Sequence, residues 1–461
     1  MKSRELVAAI EARWPVETGL VWLRRLFLPA DGEAGTARTA MLLAALAAPL
    51  LLGFLLARGA FDFDCYWVGS WAVRDGQPAA MYAALDTPNA QGYYDLANDS
   101  PAWHALAAAH LPKPHTLWGF IYPPPCAALF LPFTYLPRPL ALLGWRLLNL
   151  GAYGCGLLML LYLMRARLKP LEAQVVTFVA LASPPLLIAL SLGQITPLVF
   201  FTAAAGLYFL ETGRPAAAGV SLAVGALLKV SPILFAVWLL TRRQYRALAA
   251  LAAALIGLSL ASIALLGAET FRRFLGHCLP LLARGAISDT NVSAVALAGR
   301  MLGLGDPHSG QILPPDTRLT LLKFGFYGLV LAVSAAALWR GRRESNGERR
   351  QLEYALVNMV ALLVSPITWG HHLLLALLTL VIIAGWGLSE GRRGLVALAA
   401  AAYLLMLQNR DLPGSFLPTE VGAVAALAGI ALLWLVTCAA LFVDPRSQDA
   451  EPHMAVVRVA G

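Results

Sequence analysis

Residues Ala247 to Leu266 read ALAALAAALIGLSLASIALL, without a single charge, directly after the basic run Arg242-Arg243-Gln244-Tyr245-Arg246. A helix needs about 20 mostly apolar residues to span the hydrocarbon of a bilayer. The stretch is long enough to do so. Backbone polar groups inside lipid must be satisfied within the segment, and runs of Ala and Leu without period-two alternation do not suit a barrel. The segment is therefore expected to be a transmembrane helix.

Working outward, comparable apolar stretches run over 40–57, 140–164, 171–190 and 197–210, then as a broken pair over 216–228 and 233–240. Beyond 247–266 they continue over 319–339, 354–364, 373–388, 395–407 and 421–443. The fold class that follows is all-α: a polytopic integral membrane protein with about 12 transmembrane helices. Several stretches are short, notably 216–228 and 354–364, which suggests helices that break where they line a cavity. Residues 121–136, opening on Tyr122-Pro123-Pro124-Pro125, read either as a re-entrant hairpin or as a crossing. The hairpin is preferred because it keeps the basic break Arg165 to Lys169 on the cytoplasmic side.

The positive-inside rule places the breaks 165–169, 242–246, 340–350 and 392–393 in the cytoplasm. Both termini are then cytoplasmic. The organisation is an N-terminal segment, 1–39, with an interfacial stretch over 20–28, a single membrane domain, 40–443, and a tail, 444–461. The first apolar run starts too late for a cleavable signal peptide. Large outer loops cover 58–118 and 267–318. Of the 461 residues 59% are hydrophobic and only 13% charged, which excludes an ordinary soluble domain. The net charge of +9 lies in the short breaks rather than on one patch, so orientation in the membrane explains it better than nucleic acid does. The five cysteines show neither a disulfide framework nor a zinc-binding spacing.

Parity gathers the polar residues on the outer face. The first outer loop carries Asp62, Asp64, Asp75, Asp86, Asp95 and Asp99. It opens Phe61-Asp62-Phe63-Asp64-Cys65-Tyr66-Trp67, where helical spacing aligns Phe63 with Trp67 and Trp71, and Asp62 with Tyr66 and Ser70. This pattern predicts an amphipathic helix at the membrane interface. Asp62 either caps that helix or acts chemically. Asp64 points elsewhere and is expected to be solvated or to meet lipid headgroups. The same side receives Ser191-Leu192-Gly193-Gln194, Lys229-Val230-Ser231-Pro232, Asn291-Val292-Ser293 and Ser365-Pro366-Ile367-Thr368-Trp369-Gly370-His371-His372. Lys229, set among Leu227, Leu228 and Val230, either snorkels to the interface or faces a cavity. The sequons Asn98-Asp99-Ser100 and Asn291-Val292-Ser293 are frequent by chance.

These motifs, in this order, resemble the polyprenol-phosphate-dependent mannosyltransferases of glycosyltransferase family 87, membrane enzymes of the GT-C class. The resemblance rests on Asp-Phe-x-x-Tyr from Asp62, Tyr122-Pro123-Pro124, Gly193-Gln194, Lys-x-x-Pro at Lys229 and the His371-His372 motif. Thr196 and Val292 depart from the family pattern, where Asn and Gln are usual.

The resemblance implies transfer of a hexose, typically mannose, from a polyprenyl-phosphate donor to a lipid or glycan acceptor on the extracytoplasmic face of a bacterial plasma membrane. It implies one inverting displacement without cofactor or metal. Asp62 would be the general base, with Asp64 the second acid to consider. Lys229, with His371 or His372, would hold the donor phosphate. Tyr66, Tyr122, Gln194, Asn291 and Trp369 would bind sugar or acceptor. Asp62-Phe63-Asp64 superficially looks like a metal site, but carboxylates at i and i+2 converge only in extended backbone. The rival readings are a polytopic transporter or flippase, against which no inverted half-repeat is visible, and a lipid-linked glycan polymerase or ligase.

Overall fold

The computed structural model describes residues 34–57, 59–85, 88, 93–96, 100–112, 117–340 and 347–443. The interfacial stretch over 20–28, Asp86, Asp99, the first sequon's Asn98 and the C-terminal tail lie outside them. Among the described residues the protein is helical throughout, with two isolated bridges and no strand. All twelve apolar stretches fall on helices. Seven are long and apolar enough to cross a membrane: Arg38–Leu55, Arg138–Met164, Pro170–Leu192, Tyr245–Leu266, Thr317–Arg340, Gly370–Ser389 and Thr419–Val443. Thr196–Glu211, Pro215–Leu228, Ser231–Thr241 and Arg393–Met406 are shorter apolar helices.

The twelfth stretch differs from expectation. Its helix, Gly347–Leu363, extends further toward the N-terminus than its apolar part and is buried almost all round. Arg349 and Glu353, one turn apart, pair at 3.2 Å, and Glu353 also pairs with Arg242 and accepts from Trp238 Nε1. Arg350 meets Glu211 in the same layer. The basic runs at 242–246 and 340–350 thus supply buried ion pairs as well as surface charge.

Residues after Tyr122 form the helix Pro124–Phe130 and a 3-10 turn, Leu131–Tyr135. At about 1.5 Å per residue the helix is far too short to cross a bilayer. It packs beneath the helix Phe61–Arg74. That helix is not the interfacial amphipathic one expected. Asp62 through Ser70 are all buried, with Phe63 stacked on Trp67 at 5.7 Å, because the loop over 58–118 folds back across its second face. The two loops are stitched together by Ile312 N–H to Tyr94 O at 2.7 Å and Leu96 N–H to Gly310 O at 3.3 Å, while Ile287 N–H to Gln311 O and Leu313 N–H to Gly285 O close the second loop on itself.

Candidate active site

The site begins where the first span ends. Arg146, in the span Arg138–Met164, is buried and spends its guanidinium on five carbonyls: Leu55, Ala57 and Gly59 before the Asp62 helix, and Leu190 and Ser191 at the end of another span. A guanidinium has five N–H donors, so all are used. Gly193 then turns the chain at φ 69°, a left-handed conformation that glycine adopts without strain. A Cβ there would also lie 2.7 Å from Phe63 Cβ. The turn therefore brings Gln194 against the Asp62 helix.

Asp62 sits in the first turn of its helix but caps nothing; Ala60 is the N-cap residue. The Tyr122 hydroxyl donates to Asp62 Oδ1 at 3.0 Å, and Gln194 Nε2 donates to that hydroxyl at 3.0 Å. The Tyr66 hydroxyl donates to Gln194 Oε1 at 2.7 Å. Burial pushes the Asp62 carboxyl up to about 6, against the opposing pull of the Tyr122 hydrogen bond and the Lys229 charge.

Lys229 follows the helix Pro215–Leu228 in extended backbone, at φ −155° and ψ 126°. Pro232 accounts for the break, because its ring would clash with the Leu228 carbonyl in a continued helix. The ammonium does not snorkel outward. Its Nζ lies 3.4 Å from Thr196 Oγ1.

His371 and His372 open the 3-10 turn Gly370–Leu375, with their rings 4.4 Å apart and perpendicular. They face different spaces. One cavity of about 360 Å³ is mainly apolar and lined by Ile233, Leu234, Leu279, Leu282, Val364 and Ile367, together with Lys229 and His372. A second, of about 300 Å³, is more polar and lined by Asp62, His371, Trp118, Asp289, Thr290 and Asp411. Ile121, Tyr122 and Trp369 line both. Two spaces thus share one wall, with Lys229 on one side, pushed down to about 7 by burial against the pull of the Asp62 charge, and a carboxylate on the other.

The sequence pattern of Glycosyltransferase family 87 matches residues 120–366, more than half of the chain. The chain belongs to glycosyltransferase family 87. It is also similar to a polyprenol-phosphate-mannose-dependent alpha-(1-2)-phosphatidylinositol mannoside mannosyltransferase of Mycobacterium tuberculosis. The two are 29% identical over 81% of this chain and 82% of the relative. The protein of the same description from Mycolicibacterium smegmatis is 25% identical over 85% of this chain and 86% of its own length. A Mycobacterium tuberculosis phosphatidylinositol pentamannoside mannosyltransferase is 27% identical over 62% of this chain and 64% of its own. The protein is an integral membrane glycosyltransferase of family 87, and a transporter reading is set aside.

Within this family 87 fold, Asp62, Tyr122, Lys229, Trp369, His371 and His372 come together around the two cavities. Other expected site residues do not. Gln194 is buried, its oxygen taken by Tyr66 and the Ile195 N–H and its nitrogen donating to Tyr122, and it lines neither cavity. Tyr66 is buried beneath it and lines neither cavity. Asn291 is also buried. Its Nδ2 donates to Ala286 O at 2.8 Å and its Oδ1 accepts from the Thr368 and Ser293 N–H groups. It joins the loop over 267–318 to the histidine segment. Asp64 is not solvated; it is buried in a bidentate pair with Arg138 at 2.6 and 2.8 Å.

Sequence reasoning missed Thr196 as the lysine's neighbour, Arg138 as the partner of Asp64, and the short loop that carries Asp411. Only the loop had a signal: parity sets residues 408–420 on the same side as Asp62, and Asn409, Arg410 and Asp411 stand together there.

Proposed function

We propose that the protein transfers a hexose, mannose by analogy with its relatives, from a polyprenyl phosphate to a polyol-bearing lipid or glycan on the extracytoplasmic face. The observation that carries this reading is the wall shared by the two cavities. An apolar space beside a cation suits a phosphate on a hydrocarbon chain, and a polar space beside a buried carboxylate suits a hydroxyl nucleophile. An acceptor like the relatives', a phosphatidylinositol carrying mannose, has the required chemistry.

In this mechanism Asp62 is the general base. A carboxyl raised by burial toward neutrality is a stronger base than one in water, yet still ionised at neutral pH. It takes the proton of the acceptor hydroxyl as that oxygen bonds to the anomeric carbon. The bond from that carbon to the phosphate oxygen breaks, and its electron pair leaves with the phosphate. Lys229 and His372 stabilise the departing charge, a task that fixed donors perform best in a site screened from water. Attack opposite the leaving group inverts the anomeric centre. No metal is needed in this scheme. The engagement of Asp64 by Arg138 supports a reading without a metal bridging Asp62 and Asp64.

Purified protein in lipid nanodiscs, supplied with polyprenyl-phosphate mannose and a phosphatidylinositol mannoside, should release polyprenyl phosphate and extend the acceptor. Asp62→Asn should reduce kcat by about 10² to 10⁴ without changing the melting temperature. Full activity of that variant would remove Asp62 as the base, and loss of wild-type activity to a chelator would overturn the metal-free scheme.

A further inference from the structure

The polar cavity holds a second carboxylate that the reaction above leaves unused. Asp411 lies in the loop between the helices Arg393–Met406 and Thr419–Val443, outside the segment matched to the family. The loop is built to present it. Buried Asn409 donates to Thr290 O at 3.1 Å and accepts the Asp411 N–H at 2.9 Å. The Gly370 N–H and the Thr290 hydroxyl favour the ionised Asp411 carboxyl, against its burial. Gly370 admits this approach because a Cβ there would lie 3.0 Å from Asp411 Cβ and 2.9 Å from the Leu412 side chain.

A carboxylate offers about four acceptor sites, so Asp411 keeps capacity for a ligand. The neighbouring Asp289 is engaged by Arg410 and by His308 at 3.3 Å, which leaves Asp411 as the better placed acid. A separate observation points to a ligand. His371 is only 4% exposed and lines the same cavity, yet its Nε2 has no hydrogen-bond partner among the described residues. Nor has Trp369 Nε1. Buried polar atoms are rarely left without partners, so these wait for one. A carboxylate, an imidazole nitrogen and an indole N–H around a cavity of about 300 Å³, with Trp118 and Trp369 rings at 5.5 Å, suit a polyhydroxylated ring.

We infer that Asp411, with His371, binds hydroxyls of the acceptor's terminal sugar ring and orients it toward Asp62. This rests on the transfer reading for its word acceptor, but the binding claim is independent of it. Burial pushes the Asp411 carboxyl up to about 7, so near neutrality it both donates to and accepts from hydroxyls.

The test uses the full-length protein in nanodiscs with octyl α-mannoside as probe, followed by tryptophan fluorescence and by the shift in melting temperature within each variant. The wild type should bind the mannoside, and Asp411→Asn and Asp411→Ala should each bind about tenfold more weakly or worse. In the transfer assay the same variants should raise KM for the acceptor by a similar factor and leave KM for the polyprenyl donor unchanged. Because the melting shift is read within each variant, a less stable variant still reports. Unchanged mannoside affinity, no binding to wild type, or a raised KM for the donor alone would overturn the assignment. A wild type that binds mannoside and transfers nothing would instead overturn the transfer reading and leave Asp411 as a sugar-binding residue.

Discussion

Tyr122 donates to Asp62 at 3.0 Å from the wall that separates the two cavities, so the residue that divides the site also sets the basicity of its carboxylate. A hydrogen bond to the ionised form favours it, and here that bond works against burial. Asp62 must be ionised to accept a proton, so kcat/KM should rise with pH through a midpoint at about 6 and be lost below it. In Tyr122→Phe the downward pull is gone, and the midpoint should move to higher pH while kcat falls by about tenfold. An unmoved midpoint in a pH series on the purified variant would detach Asp62 from that limb of the profile.

Lys229→Met removes the fixed cation of the apolar cavity. By the measure of a lost oxyanion donor, kcat should fall by about 10² to 10³. Thr196→Val, which deletes only the hydroxyl 3.4 Å from the ammonium, should raise KM for the polyprenyl donor several-fold with a smaller effect on kcat. Initial rates at varied donor concentration distinguish the two.

Asp64 and Arg138 should matter to stability rather than chemistry. Removing one partner of a buried ion pair costs up to about 5 kcal/mol, but Arg138 is 23% exposed, and about 2 kcal/mol is expected for Asp64→Asn. The double change Asp64→Ala with Arg138→Met should cost less than the sum of the single ones, because neither charge is left alone. Thermal melting in detergent checks both statements. Activity per folded molecule should stay near wild type.

Gly193→Ala should harm both fold and rate. The left-handed backbone disfavours a side chain by about 1 kcal/mol, and the new Cβ, 2.7 Å from Phe63 Cβ, adds overpacking of about 1–3 kcal/mol. The displaced Gln194 would loosen Tyr122, so the surviving activity should show the same upward shift of the acid limb as Tyr122→Phe. A destabilised variant with an unshifted limb would break the proposed link from Gln194 to Asp62.

The helical membrane fold was legible because spanning length and apolar composition leave few alternatives, as Ala247 to Leu266 shows. Residues whose chemistry is expensive at membrane depth were legible too: Lys229 was open to snorkelling or to a cavity, and it lines a cavity. The sequence was silent about how many partners a polar side chain already has. Gln194 and Asn291 look like sugar-binding amides, but each is consumed by internal hydrogen bonds from segments far away in the chain. Asp64 looked solvated because its partner, Arg138, lies beyond the loop that hides them both. The Asp62 helix reads as amphipathic, and only the tertiary cover of the loop that follows it buries its second face.

Arg146 sets a timetable for the newborn polypeptide. The carbonyls at Leu55, Ala57 and Gly59 leave the ribosome well before the guanidinium that gathers them, and those at Leu190 and Ser191 leave well after it. Asp62 is among the early residues of the membrane domain to be synthesised, yet its helix cannot be anchored at this junction until translation has passed Ser191. A nascent chain stalled before that point carries the carboxylate without the clasp that fixes it. In the proposed mechanism the base is thus positioned only once the chain has been made beyond Ser191.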